Sequence, residues 1–316
     1  MMRSIAYLFL VFSFILGACT IENAKAPNEK ELVIASDYLQ EGDTNVFARF
    51  SEKFNVSIHI ISMDATQIQH RLTNQGLNSG IDLVMIKSMH NVHKFQRQKL
   101  LQPIDFTDEF EPEMTKYSSW KYDYVGFGLD PYIIAYPRGN ANSIQTYNHL
   151  TRFDYLNAIS YGDEVGMLAP ALHKMKKVNA NNWIKKYVDH GISIKNQSDS
   201  VYASMPVLTT LSSFQSQRDE PLYKNKEFLM PNKRSSGTFY NLRTMCFVRQ
   251  APNFSSAKDF VEFCLQKENN MRLNKEFSTL SIHKSDDEFR KYTTPTADLI
   301  PYFVMVDRLL KKLEID

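Results

Sequence analysis

Glu31-Leu32-Val33-Ile34-Ala35-Ser36 is an apolar run of strand length, and the residues after it decide the fold. Polar residues lead into Val46, Phe47, Phe50 and Phe54, apolar positions at helical spacing, with Asp43 or Thr44 placed to cap a helix over 44–54. Asn55-Val56-Ser57-Ile58-His59-Ile60-Ile61 alternates as a half-buried strand does. Asp64 then caps a helix that runs to Gln75 with Ile68 and Leu72 inward, and Ile81-Asp82-Leu83-Val84-Met85-Ile86 is a third strand. A helix near Asn91–Gln98 and the turn Leu101-Gln102-Pro103-Ile104 close the stretch. Strand, helix, strand, helix, strand with short links predicts an α/β fold with a mostly parallel sheet and right-handed crossovers. Sheets of this kind bind ligands outside the carboxyl ends of their strands.

Working outward, Tyr132-Ile133-Ile134-Ala135-Tyr136 is a further strand, followed by helices near Val165–Lys177 and Ala180–His190 and a polar stretch. Glu227–Met230 and the longer Thr238–Val248 are strands. Ser255–Gln266 is an amphipathic helix carrying Ala257, Phe260, Val261, Phe263 and Cys264 inward; another follows near Glu268–Phe277, and Ala297–Leu313 closes the chain. There is no internal repeat and no low-complexity block.

The extreme N-terminus has a different character. Arg3 precedes the apolar run Ile5–Leu16, which is shorter than the ~20 residues that span a bilayer. A charged start, an apolar middle and small residues at the end make a secretory signal over residues 1–18. Leu16-Gly17-Ala18-Cys19 resembles the lipobox of bacterial lipoproteins. That resemblance implies acylation of the Cys19 thiol and cleavage before it, placing the protein in the cell envelope on an inner or outer membrane. Each buried CH₂ of an acyl chain contributes about 0.8 kcal/mol, so two or three chains hold a protein essentially permanently. Residues 19–30 are polar and aperiodic, a flexible tether. A hydrophobic content of 43% with 12% aromatic residues makes the remainder globular, and a net charge of +2 argues against nucleic acid as a partner. Cys246 and Cys264 share a compartment in which disulfides persist, and pairing between them or two buried free thiols both fit the pattern.

The layout resembles the extracellular solute-binding proteins of ABC importers, and most closely their iron(III)-binding branch. The residues that carry the likeness are Leu32–Ser36 with the aromatic helix at Phe47 and Phe50, Ser79-Gly80-Ile81-Asp82-Leu83-Val84, Leu100–Ile104, Gly128–Tyr136, and Ala257-Lys258-Asp259-Phe260-Val261-Glu262-Phe263. The resemblance implies a two-lobed type II periplasmic-binding fold with two crossing hinge strands and a small solute caught between lobes that close on it. Lobe 1 would comprise 31–128 plus 238–295 and lobe 2 129–237, with 296–316 a C-terminal helix. It also implies a membrane permease as partner and no resident cofactor. A tethered receptor would be concentrated near its transporter. The alternative is a sensory or accessory lipoprotein that reports its ligand state to a membrane sensor. Where the family grips iron(III) with a tyrosine pair, this chain has Val207-Leu208-Thr209-Thr210-Leu211-Ser212-Ser213-Phe214, and Leu129-Asp130-Pro131-Tyr132 stands where arginines often hold a partner anion. The solute is therefore unassigned, with iron(III), another metal or an anion all open.

Candidate ligand-binding residues are Asp37 and Tyr38 after the first strand, Ser88 after the third, Tyr161 and Glu164, the hydroxyls Thr209 and Thr210, and Tyr240 in the returning strand. For each a plainer role competes: a loop turn for Asp37, core packing for Tyr38 and Tyr240, capping for Ser88 and Thr210. Asp82 reads as a carboxylate that satisfies nearby backbone N–H groups. His90 and His93 have the spacing of a metal pair, but a lone pair is weak evidence. The sequence contains no Gly-x-Ser-x-Gly, His-Glu-x-x-His, Gly-rich phosphate loop or Cys-x-x-Cys, which argues against an enzyme.

Overall fold

The computed structural model describes residues 30–40, 42, 44–106, 116–119, 121–139, 145–151, 157–159, 164–174, 182–183, 185–186, 191–193, 204–283 and 296–312. Strand β1 (Lys30–Ser36), helix α1 (Asn45–Phe54), β2 (Val56–Ser62), α2 (Ala65–Gln75), β3 (Leu83–Ile86) and α3 (Met89–Arg97) follow the predicted order. Their boundaries are set by local chemistry. The Thr44 hydroxyl accepts the Phe47 N–H at 3.0 Å and starts α1; Asn55 in the left-handed region ends it. Asp64 and Gln67 form a reciprocal capping box at α2.

The long strand β4 (Tyr124–Pro137) carries the chain from one sheet to another. Its first part, Tyr124–Pro131, pairs antiparallel with β9 (Tyr240–Phe247), and Leu129 and Gly128 also pair with β10 (Leu280–Ser281). Its second part, Tyr132–Pro137, pairs with β7 (Val207–Thr210) and β8 (Lys226–Leu229). The strand path is β2-β1-β3-β9-β4-β7-β5-β6, with β5 at Asn157–Ile159 and β6 at Gly191–Ser193. β1 and β3 are parallel as expected, and so are β5, β6 and β7. The expectation of a mostly parallel sheet fails at its centre, where β9 runs antiparallel to both β3 and β4. The cause is a strand that returns from the far sheet.

The remaining helices are α4 (Glu164–Lys174), α5 (Leu211–Ser216), α6 (Phe254–Leu265), α7 (Lys267–Glu276) and α8 (Thr296–Lys312). The predicted helix at Ala180–His190 lies largely outside the described residues. Aromatic side chains at helical spacing fix α1 on α6. Phe47 and Phe50 meet Phe260 edge-on at 5.0 and 5.2 Å between centroids, and Phe54 meets Phe263 at 6.0 Å. Each such pair contributes about 0.5–1.5 kcal/mol beyond the area it buries. Helix α8 lays Phe303 against His90 of α3 and Tyr302 against His173 of α4, touching the helix that follows β3 and the helix that follows β5.

β4 bulges between Gly126 and Gly128. The freed Phe127 carbonyl accepts the side-chain amides of Asn270 and Asn274 at 2.9 and 2.8 Å, and Thr279 and Ser281 donate to those two asparagines in turn. A Cβ on Gly128 would lie 2.2 Å from Asn274 Oδ1, so the buried network requires glycine there.

Candidate functional site

The carboxyl ends of β1 and β3, the start of β9 and the middle of β4 meet where the two sheets join. Asp37, just past β1, accepts the Lys87 N–H at 3.0 Å and so ties the loop after β1 to the loop after β3. Ser36 Oγ accepts the N–H groups of Tyr38 and Leu39 at 3.3 and 3.2 Å and turns the chain there. The turn delivers the Tyr38 ring to Arg243 of β9, whose guanidinium carbon stands 4.4 Å from the ring centroid. Phe277 packs edge-on against Tyr38 at 5.6 Å, its own ring centroid 5.9 Å from the same guanidinium carbon.

Arg243 is also the centre of a buried polar cluster. Its Nη2 donates to Asp130 Oδ2 at 3.2 Å and to Ser212 Oγ at 2.7 Å. Ser212, in the first turn of α5, donates its backbone N–H to Asp130 Oδ1 at 3.0 Å and its hydroxyl to Asp130 Oδ2 at 2.5 Å. The side chains of Arg243 and Asp130 are 7% and 4% exposed, so the ion pair is almost fully desolvated. Burial works most strongly against the Arg243 charge, but Asp130, Tyr38 and Asp37 together more than offset it and the guanidinium is held more firmly protonated than usual. Burial pushes the Tyr38 phenol well above its ordinary range, against the opposing pull of Arg243, and keeps it neutral. Two donors of this group, Tyr38 Oη and Arg243 Nε, are buried without a hydrogen-bond partner. Burying such groups is costly, and polar groups left in this state call for a partner.

Of the residues singled out in the sequence, Asp37 and Tyr38 lie in this junction. Ser88 stands beside it, immediately before α3, with its side chain making no capping bond while its carbonyl accepts from Asn91 and Val92. Thr210 caps α5, its hydroxyl accepting the Ser213 N–H at 3.3 Å. Thr209 is set apart. It pairs with Ile133 and shares a strand face with Val207, over the small core of Ile133, Ala135, Leu211 and Phe214. Its buried hydroxyl makes no hydrogen bond. Tyr240 opens β9 opposite Pro131, half-buried against the main core. Glu164 begins α4, with its side chain outside the described residues; Tyr161 and Cys19 lie wholly outside them.

Cys246 and Cys264 are separate buried thiols, one of the two arrangements that the sequence left open. Cys246 is in β9 beside Val84 and Tyr124, and its sulfur lies 3.7 Å from Thr244 Oγ1, while Cys264 faces inward from α6. Burial raises both thiols above the usual cysteine range. Asp82 has the structural role read for it: Oδ2 accepts Val33 N–H at 2.9 Å and Oδ1 accepts Asn253 N–H at 2.7 Å. His90 packs on Phe303, and no cluster of three or more His, Cys, Asp or Glu side chains with metal-binding geometry occurs among the described residues.

Asp130 and Arg243 are the residues that sequence reasoning missed, whereas Ser212 stood in the hydroxyl run already noted. The available signal was a charge inside each of two otherwise apolar strand runs, Gly128-Leu129-Asp130-Pro131-Tyr132-Ile133 and Leu242-Arg243-Thr244-Met245. Charges in buried strands pair with each other.

No family model matches the sequence. Iron uptake protein A1 of Synechocystis sp. is 20% identical over 328 residues, which cover 93% of this chain and 90% of that protein. The solved structure of the Trichodesmium protein IdiA (FutA) in complex with iron and citrate superposes with a TM-score of 0.78 at 15% identity, covering 90% of this chain and 100% of that one. The ferric binding protein from Campylobacter jejuni gives 0.77 at 17% identity, covering 90% and 99%. Apo FutA2 from Synechocystis gives 0.76 at 13% identity, covering 92% and 100%. Identities this low establish architecture alone, and that architecture is the type II periplasmic-binding-protein fold of the ferric-binding proteins.

Proposed function

We propose that this chain is the solute-binding lipoprotein of an ABC-type importer, which captures a small solute between two lobes and presents the closed form to a membrane permease. The observation that carries the proposal is the polar junction of Tyr38, Asp130, Ser212 and Arg243, placed where β4 changes sheets and holding two buried donors without partners. The lobes follow the division given above except at one boundary: the change of strand partners between Pro131 and Tyr132 supports a hinge there, which leaves 129–131 with lobe 1. Lipid attachment at Cys19 is part of the proposal and is supported by Leu16-Gly17-Ala18-Cys19. Among the described residues no helix is long and apolar enough to cross a membrane.

Iron is the first cargo to test, because the similar proteins are described as iron-uptake or ferric-binding proteins. Against iron stands our reading that the stretch Val207–Phe214, which has no tyrosine, occupies the place of the tyrosine pair. The experiment is thermal unfolding of the lipid-free form beginning at Thr20, with ferric iron, ferric citrate, divalent metals, oxyanions, amino acids, sugars and polyamines. A ligand that binds only the folded state at 100 times its dissociation constant stabilises by about 2.7 kcal/mol, a shift of several degrees. A shift with one class identifies the cargo. A flat response across the whole panel refutes solute capture.

A further inference from the structure

Asp130 and Arg243 belong to the first sheet, where Gly128 faces Arg243 and Asp130 faces Asn241 across β4 and β9. Ser212 belongs to the second, since α5 follows β7 directly and β7 pairs with β4 only from Tyr132 onward. The three hydrogen bonds that Ser212 makes, two to Asp130 and one from Arg243, therefore cross the line at which β4 changes sheets. Arg243 is steadied from the first-sheet side by the Tyr38 ring at 4.4 Å and the Phe277 ring at 5.9 Å. Rotation of one sheet against the other about that line would leave the Asp130–Arg243 ion pair intact, because both partners move together. The same rotation would carry Ser212 away and break its three bonds at once.

We propose that Asp130, Arg243 and Ser212 form an interlobe latch that sets the balance between open and closed forms of the empty protein. The ion pair supplies a rigid, pre-charged socket, and the first turn of α5 is the part that docks into it. The proposal rests on the hinge reading above but not on the identity, or existence, of any cargo. Hydrogen bonds to charged groups are stronger than neutral ones, so removing the Ser212 hydroxyl alone should raise the open-to-closed ratio about tenfold.

The test uses the full acylated chain in detergent, with spin labels on cysteines introduced at exposed positions and distances read by pulsed electron resonance. Labels at Glu52→Cys and Asp219→Cys report the separation of the lobes, and labels at Glu52→Cys and Arg97→Cys report the first lobe alone. With Ser212→Ala, the interlobe distribution should move to longer distances while the reference pair stays unchanged. Asp130→Asn should act in the same direction and more strongly, with thermal unfolding run beside it to verify that the protein is folded. An interlobe distribution unaltered by Ser212→Ala overturns the latch. Equal movement of both label pairs also overturns it, because the serine would then support the fold in general. No ligand is added, so a failed solute panel and a failed latch are separate results.

Discussion

Asp82 sits at the start of the central region of the first sheet with no solvent exposure, and its carboxylate holds three donors. Val33 N–H of β1 and Asn253 Nδ2 donate to Oδ2 at 2.9 and 3.1 Å, and Asn253 N–H donates to Oδ1 at 2.7 Å. One side chain thus joins β1 to Asn253, the residue just before α6 and 171 positions after Asp82. Asp82→Ala would leave all three donors without an acceptor. A hydrogen bond to a charged group contributes about 1.5–3 kcal/mol, and the sum is reduced by the cost of burying the charge itself. We expect a net loss of about 3–5 kcal/mol, a large share of the 5–15 kcal/mol typical of a folded domain. Asp82→Asn keeps the shape. With its amide nitrogen at the Oδ1 position it retains two bonds but sets an N–H against Asn253 N–H, so about 2 kcal/mol should be lost. Urea unfolding followed by tryptophan fluorescence measures both. If either variant unfolds within about 0.5 kcal/mol of the parent, the carboxylate is not a structural tie and the reasoning fails.

Gly128→Ala should destabilise by about 2 kcal/mol or more in the same urea assay, because its Cβ would meet Asn274 Oδ1 at 2.2 Å in a network with no slack. Reductant should leave the unfolding temperature unchanged, and a thiol reagent should find no reactive cysteine in the folded lipid-free form beginning at Thr20 and two after denaturation, since Cys246 and Cys264 are buried and unbridged. Burial pushes the Lys226 ammonium down to about 8, while its Nζ donates to the Leu222 carbonyl at 2.7 Å. The folded form then releases this proton more easily than the unfolded chain, whose lysine titrates near 10.4. The penalty is complete below pH 8 and relieved as pH rises toward about 10.4, so stability should climb across that window. Lys226→Met should flatten the climb relative to the parent; parallel pH profiles for the two proteins would contradict it.

The first sheet was readable because its elements obey local rules: Thr44 and Asp64 cap where they were expected to, and Phe47 and Phe50 show their helical face. β4 was only half readable. Its first part contains Gly126, Gly128, Asp130 and Pro131, residues that individually argue against a strand. Each is there for a distant reason. Gly128 makes room for Asn274, Gly126 for Leu242 and the Tyr117 carbonyl, and Asp130 serves Arg243, 113 positions later. The short strand Val207–Thr210 was missed for a related reason, since its hydroxyls read as ligand or cap while its pairing with Ile133 and Tyr132 is invisible to periodicity. That Asp37 and Tyr38 lie at the junction of the sheets was legible from their place after β1. Arg243 was not, because a lone charge in an apolar run gives no direction to its partner.

The placement of β9 has a consequence for how the molecule is made. Ile86 and Thr244 are bonded across 158 positions, and β9 is the strand that joins β3 to β4. A chain emerging from its amino end would hold β1, β2 and β3 with an unfilled edge until nearly the whole sequence was out. Long-range pairing of this kind slows folding. On the export route proposed above the delay would be useful: the first half cannot finish ahead of time, and β9, one of the last strands to arrive, locks both halves together.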